Sequence, residues 1–161
     1  MAKKNESNKI NAQDISKEKP STFNLILQCE ANKLNPKINS KIFYDILIND
    51  KEEIFIKLTA NESGGLFSKE AIPVNKIFEL LDNIENNKQF KSNVFKSIFK
   101  GGSANNTGFL AATLRSKDIG LIVQAPKSIF SHVKASNYNE RKKALLCIGK
   151  DMEKTTEPVK S

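Results

Sequence analysis

Tryptophan is missing from this 161-residue sequence, which holds two cysteines and a single histidine. That rules out a Cys/His zinc framework, so neither a metal site nor a cofactor is expected. Cys29 and Cys147 lie far apart, each inside an apolar segment. They read as buried free thiols of a reducing cytosol. No run of about 18 apolar residues occurs, which argues against a membrane-spanning segment. The first twenty residues, MAKKNESNKINAQDISKEKP, lack the apolar stretch of a secretory signal. A cytoplasmic location follows as the expectation. Nucleophile-elbow and P-loop patterns are also missing: GGSANNTG (101–108) and ESGGLFSKE (62–70) both fail the G-x-x-x-x-G-K-[ST] spacing. His132 stands beside apolar residues with no partner motif, so no enzyme is expected.

Acidic residues are scarce in one region. Residues 86–134 carry seven Lys and Arg115 against one acid, Asp118, whereas residues 21–85 carry seven Lys against ten acids. The formal net charge of +8 is therefore concentrated in the third quarter of the chain. Clustered positive charge is the electrostatic footprint of a polyanion partner. The hydrophobic fraction of 39%, with ten Phe, is enough for a sizeable core.

Residues 1–20 are polar and lysine-rich and cannot bury enough surface to offset the entropy of ordering, so a disordered arm is expected there. A similar tail is expected over 150–161, leaving one α+β domain over 21–149, with a sheet over 21–72 and a helical basic half over 73–149. In FNLILQCEA, Phe23, Leu25, Leu27, Cys29 and Ala31 alternate with period two. Ile42, Tyr44, Ile46 and Ile48 form one strand stripe, and Ile54, Ile56, Leu58 and Ala60 another. The short polar loop between the two stripes predicts a hairpin. LFSKEAI adds a fourth short strand, giving an antiparallel sheet of three to four strands.

Helical spacing starts at Pro73, with Val74, Ile77, Phe78, Leu81 and Ile84 sharing a face. Glu79, Asp82 and Glu85 form a solvated acidic stripe on another face. A second helix is expected over 89–100, where Phe90, Val94 and Ile98 recur, and Gly101-Gly102 ends it. SANNT (103–107) supplies helix-capping residues. GFLAATLR then fits a helix by its Ala and Leu content, although a strand also fits. DIGLIVQAP reads as a strand with Ile119, Leu121 and Val123 on one face. PKSIFSHVK suggests a helical face of Ile129, Phe130 and Val133. ALLCI near the C-terminus fits either a helix or a buried strand.

Helix, glycine turn, capped helix ending in Arg-Ser-Lys, then a short strand: over 74–124 this order resembles a winged helix-turn-helix. The resemblance implies that 106–116 is a recognition helix whose N-terminal polar residues meet a DNA groove. Asn105, Asn106 and Thr107 are then the candidates for base or phosphate contacts. Lys96, Lys100, Arg115, Lys117 and Lys127 are the candidates for neutralising the backbone. The expected function is a small non-enzymatic nucleic-acid-binding protein, with DNA preferred over RNA. The strand-then-helix order of 22–86 is also similar to whirly-type single-strand binders, although that half is net acidic. The alternative function is an interaction module, a subunit of a larger assembly such as a mobile-element or secretion apparatus. Phe43, Leu47 and Phe55 oppose the main stripe and would serve a homo-oligomer contact through the sheet.

Overall fold

A computed structural model describes residues 22–160. The expected arm over 1–20 lies outside the described residues. Strands β1 (Phe23–Asn32), β2 (Lys41–Asn49), β3 (Ile54–Asn61) and β4 (Ala71–Pro73) form one antiparallel sheet in sequential order. Helix α1 (Val74–Asp82) follows directly. A second, three-stranded sheet pairs β5 (Phe90–Lys91) with β7 (Ser128–Lys134), and β7 with β6 (Ile122–Ala125). Between β5 and β6 lie a 3-10 helix (Ser92–Ile98) and α2 (Asn105–Arg115); α3 (Tyr138–Lys160) closes the chain. The fold is α+β, an N-terminal antiparallel sheet followed by helices and a small sheet.

Alternation in the sequence explains the inner face of the large sheet. Tyr44, Ile46, Ile56 and Leu58 are fully buried, and Val74, Ile77, Phe78 and Leu81 of α1 belong to the same core. The β2–β3 hairpin closes through Asn49, whose side-chain oxygen accepts from the N–H of Lys51 and of Glu53 at 3.0 and 2.9 Å. Two β-bulges change the expected stripes. One between Leu25 and Leu27 puts Phe23 and Leu25 out of phase with the buried Cys29 and Ala31 and leaves them exposed; Leu27 keeps the phase of Cys29 and is exposed nonetheless. Another between Phe43 and Tyr44 sets Ala60 opposite Phe43, off the Ile54–Ile56–Leu58 face. A bulged residue shifts the side-chain period by one, which no count of alternation can anticipate.

Four further differences concern the second half. The stretch over 89–100 is a short strand and a 3-10 helix, because Phe90 pairs opposite His132 instead of starting a helix. The run over 128–134 is a strand; Ile129 and Val133 suit either period, and β6 pairing decides. Ile119, Leu121 and Ile122 are buried and Val123 is exposed, so the strand begins only after Leu121 and its faces do not alternate simply. ALLCI lies in α3, which continues through Lys160 past the expected end at 149. Residues added to a helix already formed escape the cost of nucleation, although Pro158 supplies no N–H to the ladder.

Cys29 is buried and Cys147 exposed, both unpaired, so burial is seen at one thiol and not at the other. Burial pushes the Cys29 thiol up to about 11. Helix α3 is fastened to α1 by Asp82, which accepts from the Tyr138 hydroxyl at 2.7 Å and pairs with Lys142 at 2.8 Å. The acidic stripe expected on α1 is thus broken by an ion pair, and the helix ends before Glu85. Gly149 permits a close crossing, since a β-carbon there would come within 2.5 Å of Ile48 Cδ1. No helix among the described residues is long and apolar enough to cross a membrane.

Candidate nucleic-acid interface

Helix α2 holds the centre of the molecule. It packs on the 3-10 helix, β1, β2 and β6, and every residue from Phe109 to Leu114 is buried. The sequence NNTGFLAATLR explains this, for it offers neither a charged residue before Arg115 nor an amphipathic division. A helix enclosed on all sides has no surface to lay in a groove. The implied recognition role of 106–116 therefore does not fit the geometry.

Two of its N-terminal polar residues, Asn105 and Asn106, are committed within the fold. Asn106 is 1% exposed; its Oδ1 accepts from the Ser68 N–H at 2.7 Å and its Nδ2 donates to the Gly101 carbonyl at 3.3 Å. Asn105 donates from Nδ2 to the Leu66 carbonyl at 2.8 Å. Thr107 is half-buried. The glycine turn before them holds an internal anion. Glu70 accepts from the N–H of Lys100 at 3.0 Å, from the N–H of Gly101 at 2.9 Å and from the Ser68 hydroxyl at 2.6 Å. Burial pushes the Glu70 carboxyl up, but these hydrogen bonds outweigh it and hold it below its ordinary range. The anion-holding capacity of a glycine-rich turn is real here, and a carboxylate of the same chain uses it.

Arg115 closes the helix and turns inward. Its Nε donates to His132 Nδ1 at 3.1 Å, and its Nη2 donates to the carbonyls of Ile129 and Ser131 at 2.8 and 2.9 Å. His132 is fully buried and its Nε2 lies 2.8 Å from the Ser92 hydroxyl. Burial, then the Arg115 charge, lower the His132 imidazole to about 4.

The lysines are different. Lys96, Lys100, Lys117 and Lys127 are all exposed, on the 3-10 helix, the glycine turn, the end of α2 and the β6–β7 turn. Lys88 and Lys91 are exposed beside them in sequence. Ion pairs among the described residues join Lys41 to Glu30 and Lys142 to Asp82, and none takes up a lysine of 86–134. Six of the seven lysines behind the charge excess are thus exposed and outside any ion pair among the described residues, whereas Lys134 is half-buried and its charge helps to hold the Asp82 carboxyl down.

Of the candidates, Arg115 and Lys117 share one groove of about 610 Å³ between the β1–β2 loop and the end of α2. Lys33 and Ser40 of that loop line it too. Sequence reasoning passed over both, although NKLNPKINSK carries a lysine every fourth residue, which signals a basic loop. Lys96 and Lys100 do not line this groove. No group of three or more His, Cys, Asp or Glu side chains among the described residues is placed to hold a metal ion. No family model, characterised protein or solved structure matches the chain.

Proposed function

We propose that this protein binds nucleic acid without catalysing a reaction, holding the phosphate backbone through its exposed lysines. One observation carries the reading: Lys88, Lys91, Lys96, Lys100, Lys117 and Lys127 are exposed, and none forms an ion pair with an acid among the described residues. Such side chains release counterions when they neutralise phosphates, which supplies affinity without reading bases. With α2 enclosed, base edges are beyond its reach, and the binding is of low sequence selectivity. The order of helix, 3-10 helix, glycine turn, helix and hairpin still resembles a winged helix-turn-helix, and that likeness favours DNA over RNA. The β6–β7 hairpin, with exposed Lys127 in its turn, becomes the contact in place of the helix. Titration of labelled single- and double-stranded DNA at two salt concentrations tests this. Binding that weakens steeply with salt and differs little between unrelated sequences supports the reading; no binding at low salt removes it.

A second reading has its own observation. β1 is the edge of the large sheet, and Phe23, Leu25 and Leu27 on it are 37%, 48% and 39% exposed. Edge strands are usually guarded by charge or proline, and here Glu30 is the one charged residue in β1. The matching function is an interaction module whose β1 pairs with the β1 of a second copy. Sedimentation of the chain with and without a Leu25→Lys substitution decides: a dimer that the substitution splits supports it, and a monomer throughout opposes it.

A further inference from the structure

An arginine in a partly buried site cannot shed its charge by losing a proton, so it needs acceptors or a counter-ion. Arg115 has acceptors on one side only. Nε and Nη2 are taken by His132, Ile129 and Ser131, all neutral, while Nη1 has no hydrogen-bond partner among the described residues. No carboxylate among the described residues pairs with this guanidinium. Burial lowers its affinity for the proton, the sign of an uncompensated charge. The three inward contacts fix the plane of the fork and leave its remaining donors pre-set.

The surroundings point the same way. Arg115 lines the groove together with Lys33 and Lys117. Lys33 has the neutral Ser63 hydroxyl as its polar partner and lies over the Phe109 ring. Glu30, the one acid on the groove wall among the described residues, is occupied by Lys41. Ser40 lines the groove, and its hydroxyl is the one buried side-chain polar atom left without a partner among the described residues. A hydroxyl turns freely about its bonds and can donate to an oxygen placed nearby. Leu34, Pro36 and Ile38 give the same groove an apolar wall, which suits a sugar or base and is of no use to a bare ion.

We propose that this groove is a phosphate-binding site, in which Arg115 Nη1, Lys117 and Lys33 hold the oxygens of a phosphomonoester or phosphodiester and Ser40 donates a further hydrogen bond. The site deepens the nucleic-acid reading and rests on it for the identity of the ligand, although not for its charge. Arg115 then has two tasks: it fastens β7 to α2 on one side and meets the anion on the other.

The test uses the full chain and three probes: inorganic phosphate, thymidine 5′-monophosphate and a short oligo-dT strand. Backbone amide signals of Ser40 and Lys117 are followed by NMR during each titration. Ser40→Asp sets a carboxylate in the groove and Lys117→Glu reverses an exposed charge; the second serves if the first fails to fold. Either is expected to weaken the monophosphate and the oligonucleotide by about tenfold or more. Lys96→Ala with Lys127→Ala, away from the groove, is expected to weaken the oligonucleotide alone. Equal affinity for inorganic phosphate and monophosphate supports a phosphate seat that makes no use of the apolar wall. Affinities within about twofold of wild type in both groove variants overturn the site. If the oligonucleotide still binds in that case, the nucleic-acid reading survives the loss. If the monophosphate binds in a groove-dependent way and the oligonucleotide does not bind at all, the site stands and the nucleic-acid reading falls.

Discussion

Arg115 donates to His132 Nδ1 through both Nε and Nη2, at 3.1 and 2.9 Å, and thereby decides where the histidine keeps its proton. A guanidinium can only donate, so Nδ1 must be the bare acceptor and Nε2 carries the hydrogen to Ser92. The neutral ring is the folded form. Its affinity for a second proton falls from the ordinary 6.5 to about 4. Between those values the unfolded chain binds more protons than the folded one, so folding loses free energy as pH drops. Stability from this group is whole above pH about 6.5 and declines towards pH about 4, by about 3 kcal/mol in total. Chemical denaturation across that range should show the slope, and His132→Gln should flatten it. An equal slope in the variant contradicts this assignment.

Asn106 separates a structural role from a base-reading one. Its replacement by alanine leaves the Ser68 N–H and the Gly101 carbonyl without the bonds they make now. The expected cost is about 2 kcal/mol of stability, with nucleic-acid affinity unchanged under conditions where the variant is folded. A variant as stable as wild type that has lost affinity would return Asn106 to the interface.

Glu70→Gln should loosen the glycine turn. The charge-assisted bonds to Lys100 and Gly101 are lost, at a cost of about 1–2 kcal/mol at neutral pH. Because the folded carboxyl is held below its ordinary 4.5, this contribution is present above that value and fades as pH falls beneath it. Wild type and variant should therefore converge in stability in acid. Curves that stay parallel through that range would show that the carboxylate contributes nothing to the turn.

Much of the fold could be read from residue order, for stated reasons. Ile54, Ile56 and Leu58 alternate against a polar loop, and the hairpin they predict is observed. Val74, Ile77 and Leu81 repeat at helical spacing, and α1 forms there. What escaped depended on contacts distant in sequence. Phe90 became a strand because His132 lay opposite, 42 positions away by number and adjacent in space. The burial of Phe23 and Leu25 failed at a bulge, which is a matter of pairing register.

For the candidate site, the charge excess was visible and the commitments of individual residues were not. Exposed Lys96 and Lys127 look in sequence much like Arg115, yet Arg115 faces His132. Of the caps expected in SANNT, Ser103 Oγ accepts from the Asn105 N–H at 3.3 Å, whereas Asn105 and Asn106 bond to Leu66, Ser68 and Gly101, through a loop that no local pattern reveals.

Salt dependence tests the central claim most directly. Affinity for single-stranded DNA is measured against salt concentration for wild type and for a variant with Lys96, Lys100, Lys117 and Lys127 replaced by alanine. Exposed lysines cost little stability when removed, so the variant should fold. The logarithmic slope should become shallower by roughly two to three, as each lost phosphate contact removes about 0.7. Two parallel lines of equal affinity would contradict the proposal that these uncompensated lysines hold the nucleic acid.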